Sequence, residues 1–97
     1  MPKRVDANQA EIVRALRAIG ATVQPRHDVG KGCPELLVGF RGENFCLEVK
    51  DGAKPRSRQA LTEDEEQWEE RWQGQYRVVR TVEEALRAVG ATEEAGE

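Results

Sequence analysis

Pro34-Glu35, then twelve residues, then Glu48-Val49-Lys50 is where this 97-residue sequence gathers groups able to act together. Strand side chains alternate faces, so Glu48 and Lys50 share one face while Phe45, Leu47 and Val49 take the other. An acid and a lysine therefore stand at the end of a strand whose opposite face is core. Glu35 opens the neighbouring antiparallel strand. A hairpin closed near Gly42 puts Glu35 and Glu48 about 6–7 residues from the turn on paired strands, within reach of each other. Two carboxylates so placed repel each other and favour a hard divalent cation, and magnesium takes one or two carboxylates plus waters and phosphate oxygens. Such an ion lowers the pKa of bound water and neutralises charge on a phosphate in transition. A neighbouring lysine orients the attacking water or stabilises the pentavalent phosphate. The chemistry implied is phosphodiester hydrolysis. An E-x-K triplet alone is more often a solvated ion pair; the upstream Pro-Glu and the order of elements around it favour the site.

Those elements are legible in the pattern. Asp6-Ala-Asn-Gln9 has the form of a capping box, with Asp6 as N-cap and Gln9 at the third helical position. Ile12, Val13, Leu16 and Ile19 follow as an apolar stripe, and Gly20 ends the helix. A strand is expected at Thr22–Arg26, a turn at Val29–Gly32, and a second strand at Leu36–Phe40. Arg41–Asn44 reads as a hairpin turn into a third strand, Phe45–Val49. Asp51–Arg58 is a polar loop. Thr62 with Glu65 forms a second capping box, opening a helix that runs to Gln73 and stops at Gly74. Tyr76–Arg80 is a fourth strand and Val82–Val89 a last helix. The order α-β-β-β-α-β-α implies an α/β fold, a mixed four-stranded sheet flanked by helices. Residues 1–90 read as one domain and 91–97 as a flexible acidic tail.

Composition narrows the classes. With 38% hydrophobic and 34% charged residues the chain fits a soluble globular protein, and no stretch has the apolar length of a membrane span. No apolar segment follows Met1-Pro-Lys-Arg4, so a secretory signal is not expected. Two cysteines, Cys33 and Cys46, are too few for a disulfide scaffold and read as small packing residues in a reducing cytoplasm. The net charge of −3 conceals an asymmetry: residues 1–58 carry 11 Lys/Arg against 7 Asp/Glu, and residues 59–97 carry 4 against 11. The overall charge does not announce a nucleic-acid binder, but the first half is able to present a basic face.

Taken together, Gly32-Cys-Pro-Glu-Leu-Leu-Val38, Leu47-Glu-Val-Lys50 with its basic loop, Leu61-Thr62 with Glu65, and the last strand and helix resemble the PD-(D/E)XK nuclease superfamily. The nearest likenesses are the virus-type replication-repair (VRR-NUC) nucleases of phages and the archaeal-type Holliday junction resolvases. The resemblance covers roughly residues 6–90. It implies a restriction-endonuclease-like αβββαβ core and a DNA endonuclease using Mg2+ or Mn2+ in the cytoplasm of a bacterium or phage-infected cell. Glu35 and Glu48 would bind the metal, and Lys50 would be the catalytic lysine. The family usually has Asp where this chain has Glu35, and Gln where it has Glu65.

The family's first helix normally supplies a Glu to the site, and that position aligns with Gln9 rather than Glu11. Helical geometry also turns Gln9 toward the sheet and Glu11 away. Gln9 serves either the site or the cap. Glu65 shares a stripe with Leu61, Trp68 and Trp72, and either only caps its helix or faces Lys50. The tryptophans read as core or dimer-interface groups in preference to base-stacking ones. Lys54, Arg56 and Arg58, with Lys31 from the preceding turn, would contact DNA phosphates. His27 is a further candidate, either to protonate a leaving group or to touch phosphate. The expected activity is that of a structure-selective endonuclease cutting four-way junctions as a homodimer. The alternatives are a nicking or single-strand nuclease of phage replication and repair, and a non-catalytic DNA-binding protein on a decayed nuclease fold.

Overall fold

The computed structural model describes residues 7–26, 29–51 and 60–92. It contains helix α1 (Ala7–Ala18), strands β1 (Thr22–Pro25), β2 (Leu36–Phe40) and β3 (Glu43–Val49), helix α2 (Glu63–Arg71), strand β4 (Tyr76–Val79) and helix α3 (Val82–Ala88). The four strands form one sheet in the order β1-β2-β3-β4. The first two pairings are antiparallel and β3–β4 is parallel, so the sheet is mixed and the fold α/β as expected.

The alternation along β3 separates two faces. Phe45, Leu47 and Val49 join Leu36, Val38, Val23 and Val79 in the core, closed by Ile12, Val13 and Leu16 of α1 and by Ala85 of α3 with Val89. Leu16, Leu36, Leu47 and Val38 have no exposed surface. Truncating such a leucine to alanine costs about 2–5 kcal/mol. Asn8 fixes the start of α1: its amide donates to the carbonyls of Lys50 and Arg80, each at 3.0 Å, at the ends of the parallel strand pair. Arg17 fixes the other end by donating to the Val23 carbonyl at 3.0 Å.

The boundaries differ from expectation in instructive places. The hairpin turn is only Arg41-Gly42, since Phe40 pairs with Glu43. Both turn residues have positive φ, 53° and 81°, as a two-residue turn matching strand twist requires. That compact turn lets Glu43 and Asn44 join β3 instead of the loop. Ile19 lies beyond the end of α1 and is 37% exposed, so it does not extend the core stripe. Helix α2 stops at Arg71 because Trp72 turns to extended backbone (ψ 129°). No residue of α2 is fully buried and Trp72, just past its end, is 44% exposed, so Trp68 and Trp72 are not core residues; they lie beside Leu37 and Cys46 on the sheet's second face.

Candidate active site

The site forms where the β2–β3 ladder ends. Leu36 pairs with Leu47, so the next residues outward, Glu35 and Glu48, stand opposite each other. The Glu35 carbonyl accepts the Arg26 amide at 2.7 Å, which carries the β1–β2 pairing to the same level and fixes the Glu35 backbone. Glu48 is 2% exposed. Its Oε1 is buried without a hydrogen-bond partner, which is costly for a carboxylate. Burial raises the Glu48 pKa most, and the carboxylates of Glu65 and Glu35 add to this; the Lys50 ammonium opposes them, and the result is about 8.

Lys50 follows on the same face. Its Nζ lies 3.7 Å from Glu48 Oε2 and donates to Glu65 Oε1 at 2.9 Å. The same Glu65 oxygen accepts the Thr62 backbone N–H at 2.8 Å, and the Thr62 hydroxyl accepts the Glu65 N–H at 3.2 Å. The two roles open to Glu65 in the sequence are thus filled at once. Burial pushes the Glu65 pKa up, but the Thr62 N–H and the Lys50 ammonium outweigh it and hold the pKa below its ordinary value.

The turn before Glu35 locks α2 in place. Gly30, Lys31 and Gly32 have φ of 72°, 55° and 79°, the left-handed region that glycine tolerates best. A Cβ on Gly32 would overlap the Asp64 carbonyl and come within 2.8 Å of the Glu65 nitrogen. The loop therefore packs directly on the first turn of α2, and only glycine permits it. Contact between these backbones sets where Glu65 meets Lys50.

Glu35, Glu48, Lys50 and Glu65 are brought together. Gln9 is 5% exposed and follows Asn8, whose amide holds the Lys50 carbonyl; Glu11 is exposed on the same helix. Lys31 is exposed in the glycine turn. His27, Lys54, Arg56 and Arg58, the Asp6 cap and tail residues 93–97 lie outside the described residues. Cys46 is buried and Cys33 partly so, both as free thiols.

Three features were not singled out in the sequence. Asn8 ties α1 to the site strand. Tyr76 pairs with Cys46 on the face of Glu48, and its hydroxyl is buried without a partner. Burial raises the Tyr76 pKa first, with Glu48, Glu69 and Glu65 contributing. Period-two alternation along β4 would have put Tyr76 on that face. Arg77, Arg80 and Arg87 line a separate groove of about 260 Å³ between β4 and α3, a basic surface split in sequence between a strand and a helix.

The arrangement suits a divalent cation that keeps most of its waters. Two opposed carboxylates, one with an unpartnered buried oxygen, match the one or two acids that magnesium uses. Among the described residues no group of three or more His, Cys, Asp or Glu side chains forms a fuller cage. Also among them, no helix is long and apolar enough to cross a membrane. No family model, curated protein or solved structure matches the chain.

Proposed function

We propose that this chain is a divalent-metal-dependent, structure-selective DNA endonuclease on a restriction-endonuclease-like core, with the four-way junction as its substrate. One observation carries the reading: Glu35, just before β2, and Glu48, near the end of β3, flank the last β2–β3 pair, with an orphaned buried oxygen on Glu48 and the Lys50 ammonium alongside. Glu35 and Glu48 would hold Mg2+ or Mn2+, which supplies charge neutralisation at the phosphate and a more acidic water. In the hydrolysis the water oxygen bonds to phosphorus as the ester bond to the leaving sugar oxygen breaks; the water gives up a proton to solvent, and the leaving oxygen takes one up from solvent to become a hydroxyl. Lys50 has three ammonium donors; one is committed to Glu65, and the group faces negative charge gathering on the phosphate oxygens. Glu65 keeps that ammonium in place. Gln9, buried on α1 beside Asn8, would serve as a neutral amide for a water. Lys31, Lys54, Arg56 and Arg58 would grip the DNA backbone, with binding that weakens steeply as salt rises. A chain this small is expected to act on a branched substrate as a homodimer making paired cuts.

The 44% exposure of Trp72 favours a second reading within the class, a nicking or single-strand nuclease, because an open aromatic surface suits unpaired bases. Incubation with a four-way junction, a flap and linear duplex, in magnesium and in chelator, separates the two. Symmetric magnesium-dependent cuts confined to the junction support the first reading. Cuts in any unpaired strand support the second, and no cleavage of any substrate removes both.

A further inference from the structure

On the face that carries Glu35 and Glu48, two residues further along each strand, lies the Leu37–Cys46 pair. That step is roughly 7 Å. Leu37 and Cys46 form part of the lining of a cavity of about 350 Å³, shared with Trp68 and Trp72 and with Arg26 and Asn44. Its volume is that of a small-molecule site, and its lining is mostly apolar and aromatic with few polar groups.

The aromatic wall is fixed. The Trp72 indole nitrogen donates to the Gln75 carbonyl at 3.2 Å, and the Gln75 amide donates to the Asn44 carbonyl at 2.8 Å. The ring lies against Gly74, where a Cβ would come within 2.9 Å of the indole nitrogen. Trp68 stacks on Trp72 with centroids 4.7 Å apart and approaches Tyr76 at 5.8 Å. Little side-chain freedom is left to lose on binding, although Trp72 remains open to solvent.

We propose that this cavity is a nucleobase pocket, taking a base unstacked from the strand whose phosphate lies at Glu35 and Glu48. The second half of that statement rests on the nuclease reading above. A base is a flat aromatic body with a polar edge: the indoles and Leu37 suit its faces, and Arg26 and Asn44 suit its edge. One strand repeat separates pocket and acids, the reach from a phosphate through its sugar to a base. A base still paired in a duplex cannot enter, so the nucleotide at the cut is either unpaired in the substrate or extruded from the junction before cleavage.

Trp68 and Trp72 are the chain's two tryptophans and both line the cavity, so intrinsic fluorescence reports it directly. The protein is titrated in chelator with single-stranded oligothymidylate, with a strand of equal length carrying abasic sites, and with blunt duplex. Saturable quenching by oligothymidylate, at least tenfold weaker with the abasic strand and the duplex, is expected. Trp72→Ala weakens oligothymidylate binding about tenfold or more with unchanged circular dichroism, and Trp72→Phe restores part of it by keeping a stackable ring. Equal quenching by the abasic strand overturns the pocket. So does base-independent fluorescence in a dimer that Trp72→Ala dissociates, which would make the face a contact between copies. Because metal is absent, the two readings fail separately. Base-dependent quenching without magnesium-dependent cleavage keeps the pocket and removes the nuclease; cleavage with base-independent quenching does the reverse.

Discussion

Lys50 is held by Glu65, 2.9 Å away at the start of α2, more closely than by Glu48, 3.7 Å away in the strand that leads into it. The ammonium is thereby aimed by a helix while the carboxylate beside it stays incompletely paired. Under the proposed nuclease reading Lys50 would gain from such positioning, since a charge already oriented has no reorganisation to make during reaction.

Glu65 carries two roles on one oxygen, and substitutions separate them. Glu65→Ala removes both the cap contact and a charged hydrogen bond, an expected loss of about 2–4 kcal/mol in urea unfolding. Glu65→Gln keeps a side-chain oxygen for the Thr62 N–H but no charge for Lys50. It should retain most of the stability while lowering the cleavage that the nuclease reading proposes. Equal losses of stability for the two variants would show that the charge, not the cap, holds α2.

Gly32→Ala places a methyl group against the Asp64 carbonyl at a positive φ. The expected cost is about 2–4 kcal/mol, combining the left-handed penalty with overpacking against backbone. Gly30→Ala has the same backbone penalty but meets open space, so about 1 kcal/mol is expected. Denaturation midpoints of the two variants measure the difference. Similar midpoints would mean that the loop does not press on α2.

Much of this was legible in the sequence. The order of elements follows from the helical stripe ending at Gly20 and the alternation of β3, which also placed Glu48 and Lys50 on one face. The Thr62–Glu65 capping box was readable because its spacing is local. The position of Trp72 was not: on a helical wheel it completes an apolar stripe, but the helix ends at Arg71, Trp72 turns to extended backbone, and no residue of α2 is fully buried. The overlap of Gly32 with Asp64 joins residues 32 apart, a closeness that no local pattern encodes. Nor does local spacing tell one oxygen of Glu65 from the other.

Glu48 makes stability depend on pH in an uncommon direction. Its proton is held to about pH 8 in the folded chain, against 4.5 as the ordinary value. Between those values the folded state binds more protons, so this group's contribution is full below about pH 4.5 and is lost as pH rises toward 8. Glu65, whose pKa is lowered, acts oppositely and loses its contribution as pH falls through its folded value. In chelator, the urea midpoint should fall from about pH 5 to pH 8 more for the native chain than for Glu48→Gln. Magnesium binding near pH 7 should release protons, measured by calorimetry in buffers of different ionisation enthalpy. Identical pH slopes for the two proteins would contradict the burial of Glu48.

Single-turnover cleavage of a labelled four-way junction, comparing the native chain with Glu48→Gln and Lys50→Ala in magnesium, bears most directly on the nuclease reading. Both variants are expected to lose about a hundredfold or more in rate while keeping the native circular dichroism spectrum. If both folded variants cut the junction as fast as the native chain does, the opposed acids and their lysine are not the catalytic centre.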